Sequence, residues 1–339
     1  MIPIKKDAKI YIVSFPNFES GGPELLHQLC RSLTDLGFNA YMYYDGMPKK
    51  AADPTPEKFK KYGTRYVDKI EDSINNYLIF PEAIEITAKR NKKIRKIMWW
   101  LGVNHYLVYS EIWKRPLWTY AKHLGQAILN IRPSYFMYEL KRSDFVFLGQ
   151  CNYVISFLNN KGIKNVPLLS DYISLDFIES SEKSLAKRGK DRKNQVIYNP
   201  GRNIQYVKKL IKFAPDIEFV PLVGYKPEEL KKVISDSKIY IDFGSHPGKD
   251  RLPRECAMLG CCIITSTRGS AGFYEDLPIS SEYKFRRTGE NIPKIVKKIR
   301  HIFENYDNEI INFDFYRDRI REEKKMFETQ VENLFLEVN

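Results

Sequence analysis

The sequence predicts an α/β protein built from two Rossmann-like doubly wound units, and three observations carry that expectation. Short apolar segments are followed by glycine-containing turns and then by segments with helical spacing of leucine. The alternation begins a second time after a charged run near residue 180. The 339 residues, 43% apolar and 14% aromatic, suffice for two cores of ordinary domain size.

The first alternation opens with KIYIVS at 9–14, a buried parallel strand. A loop with Gly21 and Gly22 leads into a helix on which Leu25, Leu26, Leu29, Leu33 and Leu36 recur at helical spacing. Pro23 suits a first helical turn and Gly37 a helix stop. NAYMYY follows as a strand, while 46–75 reads as a polar, Lys- and Pro-rich surface excursion. YLIFPE and KIMWWLGV supply further core strands, 111–141 a basic, aromatic helical stretch, and FVFLGQCNYVISFLNNKG a strand and helix.

The run SSEKSLAKRGKDRKN, 180–194, holds almost nothing to bury and suggests a boundary just before or within it. Strands QVIYNP, EFVPLV, KIYIDFG and CCIITS then alternate with helices IQYVKKLIKFA, KPEELKKVISDS and LPRECAMLG. The tail 313–335 reads as a long amphipathic helix. The divisions expected are 1–175, 176–312 and a helix in 313–339 packing across both units.

Lysine and arginine exceed acidic residues by 55 to 42, which favours anionic partners: nucleotide phosphates, nucleic acid or an acidic membrane. Five cysteines without CxxC spacing fit neither a disulfide framework nor a zinc site, and point to a reducing compartment. No signal peptide or spanning segment is legible, so a cytoplasmic location is expected.

In open α/β sheets, ligands collect at the carboxyl ends of strands. Four loops there hold candidate residues. The Gly21–Gly22 turn offers amides and a helix N-terminus. GSHPGKDRLPRE, 244–255, gathers His246, Lys249, Asp250, Arg251, Arg254 and Glu255: Lys249 and Arg251 suit a diphosphate, Glu255 sugar or ribose hydroxyls. Gly269, Ser270, Ala271 and Gly272 form a small-residue loop able to turn amides toward phosphate. NPGRN, 199–203, contributes Arg202.

The strand, GG turn and helix at the start, together with HPGKDRLPRE, GCCIIT, RGSAGFYED and WWLGVNHY, resemble the family-four glycosyltransferases of the GT-B fold, in a subgroup from bacterial surface-polysaccharide loci. The resemblance implies a sugar transfer from a nucleotide-sugar donor, held by the second unit, to a glycan or lipid-linked acceptor on the first. It implies retention of configuration, and peripheral contact with an anionic membrane would suit such an acceptor. Two glutamates eight residues apart mark that family. Glu255 matches the later one, which touches the ribose; the earlier falls on Pro247, with His246 beside it. The family also places a histidine or carboxylate of the first unit toward the reacting sugar, which nominates Glu82 and His105; His246, beside the missing glutamate, is the third catalytic candidate. No Asp-x-Asp occurs, so no metal and no cofactor are expected.

Two rivals remain. KRNKKIRK, 89–96, and nearby aromatics would suit single-stranded nucleic acid, although no nucleic-acid motif is present and Trp99 and Trp100 fall in a core strand. The missing glutamate would also fit a catalytically silent nucleotide-sugar-binding protein. No GxGxxG or GxxxxGK[ST] follows any strand, which argues against NAD and P-loop chemistry.

Overall fold

The computed structural model describes residues 1–46, 53–104, 106, 118, 121, 125 and 145–338. The chain divides into two compact units, one of 1–171 with 325–339, the other of 172–324.

In the first unit, β1 (Ile2–Lys5) precedes β2 (Lys9–Ser14), α1 (Gly21–Asp35) and β3 (Asn39–Tyr44). Next come β4 (Tyr66–Val67), β5 (Tyr77–Pro81), α2 (Glu85–Arg90), β6 (Arg95–Trp100), β7 (Phe145–Gly149) and α3 (Asn152–Asn160). The sheet order is β4-β3-β2-β5-β6-β7, with every pairing parallel. Parallel strands are covered on both faces, which is why β2, β5 and β6 read as near-continuous apolar runs. Trp99 and Trp100, on opposite faces of β6, are both fully buried, and the Trp99 indole donates to the Leu169 carbonyl at 2.9 Å.

The segment expected as a surface excursion is partly packed. Phe59 and Tyr62, on a 3-10 turn at Glu57–Tyr62, are buried beside His27 of α1, the Phe59 ring 5.0 Å away. Tyr62 donates its hydroxyl to buried Glu24 at 2.8 Å, and Lys58 and Lys61 approach the same carboxylate. The polar composition that suggested solvent exposure serves to satisfy one buried charge.

The second unit begins with α4 (Leu175–Glu179) and α5 (Ser181–Leu185), then β8 (Lys193–Tyr198), α6 (Ile204–Phe213), β9 (Glu218–Pro221), α7 (Pro227–Ser235) and β10 (Ser237–Asp242). It continues through α8 (Arg251–Met258), β11 (Cys262–Ser266), β12 (Lys284–Phe285) and α9 (Asn291–Glu309). Its sheet order is β9-β8-β10-β11-β12, again parallel throughout. The long helix α10 (Asp314–Leu334) and β13 (Phe335–Val338) follow, and β13 pairs with β1.

The charged run 180–194 differs from its expectation. Arg192 is buried and donates to the carbonyls of Ser184, Ser235, Ser237 and Leu259. A guanidinium can be buried when fixed carbonyl dipoles take up its protons, so charge density in the sequence did not mean solvation here. All five cysteines are buried and unpaired.

Candidate functional site

Each sheet reverses its strand order at one place, between β2 and β5 in the first unit and between β8 and β10 in the second. A crevice forms outside the carboxyl ends of the strands at such a point. Each unit is described by itself.

In the second unit, the reversal brings together the loop after β8, which carries Arg202, and the loop after β10, 243–250. Arg202 places a guanidinium nitrogen 2.6 Å from Asp250 Oδ1, and His246 Nδ1 lies 2.7 Å from the other carboxylate oxygen. His246 Nε2 faces Asp242, 3.5 Å from Oδ1. Burial alone would raise the Asp250 carboxyl, but His246 and Arg202 outweigh it and hold it below the usual range. Burial would likewise lower His246, and the two aspartates hold it above its ordinary value instead.

Asn203 has φ 49° and His246 φ 44°, left-handed conformations uncommon outside glycine, though asparagine and histidine adopt them more readily than most residues. Asp242 accepts the Gly244 amide at 2.8 Å and the Tyr240 hydroxyl at 2.9 Å, which fixes the start of this loop. Gly244 has no side chain for a reason, since a Cβ would sit 3.1 Å from Arg202 Cδ and 2.9 Å from Asp242 Oδ1.

The third loop packs directly on the second. The Ser270 amide donates to the His246 carbonyl at 2.9 Å, and its hydroxyl to the Gly248 carbonyl at 2.6 Å. Gly269 to Gly272 form a 3-10 turn with Ser270 and Ala271 buried. The Ser270 amide is therefore already engaged, which narrows the set of donors the turn was expected to present.

Lys249 reaches Glu323 of α10 at 2.9 Å, and Arg254, fully buried, reaches the same carboxylate at 2.7 Å. Arg251 and Glu255 approach one another at 3.7 Å along α8. The structure thus brings Arg202, His246, Lys249, Asp250, Ser270 and the start of α8 into one cluster. It places His246, a catalytic candidate, at 1% exposure. Asp250, expected as a donor contact, is the carboxylate that holds Arg202 and His246.

Sequence reasoning passed over Asp242, Glu323, Arg268 and Arg287. Asp242 and Arg268 stood in quoted motifs, at a strand end and beside the glycine turn. Arg287 donates to the Phe243 carbonyl at 3.0 Å; burial, then the charge of Arg268, holds it below its usual value. Glu323 lies 69 residues from Arg254, and no local signal points to it.

Among the described residues, Asp242, His246 and Asp250 are the group whose potential metal-donor atoms converge, all within 4.8 Å. Arg202 already supplies a counter-charge to Asp250.

In the first unit, Gly21 and Gly22 open α1, and Ser20 caps it without a side-chain bond, leaving both glycine amides uncapped by that residue. Glu82 follows β5 across the reversal point, is buried, and accepts the Leu101 amide at 2.9 Å. Burial pushes its carboxyl up to about 7, against the amides of Leu101, Glu82 and Gly102. His105 lies outside the described residues, as does most of the stretch 111–141.

Glu82 and His27 load the stability of this unit in opposite directions. His27, 2.9 Å from the Thr64 hydroxyl, is pushed down to about 4 by burial. Between pH 4 and 6.5 the unfolded chain binds a proton at His27 that the folded one refuses, so stability rises with pH. Between 4.5 and 7 the folded chain keeps a proton at Glu82 that the unfolded one loses, so stability falls with pH. The two slopes should nearly cancel from pH 4.5 to 6.5. His27→Gln should expose a fall of about 1.4 kcal/mol per pH unit, and Glu82→Gln a rise of about the same size. Urea titrations followed by tryptophan fluorescence at several pH values read this directly; three parallel profiles would refute the assignment.

No family model matches the chain, and no curated protein matches it. Solved structures do. Sucrose-phosphate synthase from Thermosynechococcus elongatus aligns over 96% of this chain and 98% of its own, with TM-score 0.58 and 13% identity. HepE from Anabaena, in complex with UDP, covers 96% and 98%, with TM-score 0.54 and 8% identity. A trehalose-6-phosphate protein from E. coli bound to UDP-2-fluoro glucose covers 96% and 99%, with TM-score 0.54 and 7% identity. At such identities the likeness concerns the fold, and it bears out the expected pair of Rossmann-like units of the GT-B type. No helix of the described residues is long and apolar enough to cross a membrane.

Proposed function

We propose that this chain is a glycosyltransferase that takes its sugar from a nucleotide donor bound at the β8/β10 reversal point of the second unit. The observation that carries the reading is the Arg202–Asp250–His246 cluster, a guanidinium fixed by a buried carboxylate at the place where open α/β sheets take ligands. The neighbours whose structures hold UDP and UDP-2-fluoro glucose support it by fold.

Arg202 is the contact for the departing diphosphate, with Lys249, Arg251, Arg268 and Arg287 around it and the amides of the Gly269–Gly272 turn beyond Ser270. Fixed cations and amides would stabilise negative charge as it develops on the leaving group, so the transfer needs no metal. Asp250 and His246 act by orienting Arg202. Glu255 holds ribose or sugar hydroxyls. On the first unit Glu82, whose carboxyl is pushed up to about 7, and His105 are the candidates to act on the acceptor, a glycan or lipid-linked sugar in cell-surface polysaccharide synthesis. Retention of configuration and a cytoplasmic setting complete the proposal.

Screening UDP-, GDP-, CMP- and TDP-linked sugars by thermal denaturation tests it. A true donor at a hundred times its dissociation constant adds about 2.7 kcal/mol, roughly 5–10 °C for a unit of this size. Absence of any shift across the four would end the reading. A shift without transfer or hydrolysis, even with EDTA-resistant binding, would favour a silent binding protein, the alternative that Pro247 in place of the earlier glutamate keeps open.

A further inference from the structure

The opposite end of the first sheet holds a second concave feature. A cavity of about 880 Å³ opens at the amino ends of β5, β6 and β7, bounded also by the loop 162–167 that follows α3. It lies at the far end of these strands from Glu82, so whatever fills it does not compete with a ligand at their carboxyl ends. Among the described residues, five side-chain cations line it, Lys92, Lys93, Arg95, Lys96 and Lys164, and no carboxylate does.

The cations are presented in a defined way. Asp72 accepts the amides of Lys92, Lys93 and Ile94 at 2.9–3.0 Å, which fixes the turn while leaving the lysine side chains exposed. Neither Lys92 nor Lys93 forms an ion pair among the described residues. Arg95 lies over the Tyr77 ring and donates to its hydroxyl, and Lys96 lies over Phe145. Between the cations, Ile74 and Val146 are 60% and 40% exposed.

We propose that this face docks on an anionic membrane, the cations meeting phospholipid headgroups and Ile74 and Val146 dipping among them. Cations interleaved with exposed aliphatic side chains match the boundary between headgroup and acyl chain. A single-stranded nucleic acid would need exposed rings on which bases stack. The rings here, Tyr77, Phe145 and Phe147, are buried to within 8% exposure, so the cavity offers charge without stacking platforms. The inference is independent of the donor site.

Flotation of the full chain with vesicles tests it. Phosphatidylcholine vesicles containing one-third phosphatidylglycerol should retain the protein, pure phosphatidylcholine should not, and retention should fall steeply with salt. The double variant Lys92→Glu/Lys93→Glu should bind at least about tenfold more weakly, since each basic residue near such a surface contributes an appreciable share of the affinity. Ile74→Ser should weaken binding even where salt is low. Both variants should keep the wild-type melting temperature and any donor-induced thermal shift. Equal retention by neutral vesicles, wild-type binding by the double variant, or tighter binding to polyuridylate that the same two charges control would each overturn the proposal.

Discussion

Gly269→Ala should unfold much of the second unit. The residue has φ +59°, and a Cβ there would lie 2.0 Å from the His246 carbonyl oxygen and 2.2 Å from that of Ser245. Those obstacles are backbone, held in place by the Ser270 amide and by Asp242, so no side chain can swing aside. Gly37 also has a positive φ, +88°, but nothing lies within 4 Å of its added Cβ. Gly37→Ala should therefore cost only the conformational penalty, about 1 kcal/mol, and Gly269→Ala more than about 3 kcal/mol. The four tryptophans fall at 99, 100, 113 and 118, all in the first unit. Circular dichroism should thus show an early transition in Gly269→Ala that tryptophan fluorescence follows weakly. Coincident wild-type curves by both probes would contradict the packing of the two loops.

Arg202→Met should lower donor turnover, as kcat/KM, by about a hundredfold to a thousandfold, the usual loss when a fixed donor to a developing anion is removed. The same substitution removes one of the two partners of buried Asp250 and so should also lower stability. Adding Asp250→Asn separates the two effects: it should restore the melting temperature without restoring turnover. Arg202→Lys should recover part of the turnover, since it keeps the charge and loses the paired geometry. Wild-type turnover in Arg202→Met would remove the diphosphate role; recovery of turnover in the double variant would make Arg202 structural.

The elements legible in the sequence were those whose burial is continuous. β2, β5 and β6 were marked by uninterrupted apolar runs, and α1 by leucines on one face. β4 and β12, two residues each, carry no pattern long enough to read. β1 and β13 are strands only because they pair with one another from 333 residues apart, a contact invisible to any local window. α9 did have its signal, Ile292, Ile295, Ile299 and Ile302 at helical spacing, and was passed over beside louder motifs.

In the site, residue types in loops after strands were readable, but their pairing was not. Lys249, proposed beside the diphosphate, also pairs with Glu323 at 2.9 Å. His246, a catalytic candidate by residue type, is held between Asp242 and Asp250. Glu323, supplied from a distant chain position, engages Lys249 and Arg254, and spacing along the sequence does not record it.

The pairing of β1 with β13 also sets a schedule for synthesis. Residues 172–324 form a continuous stretch and can close as soon as they leave the ribosome, whereas the first-made unit waits for residues 325–339 before its last parallel ladder can form. The first-made unit therefore completes its β1–β13 ladder only after all residues of the later-made unit have been added.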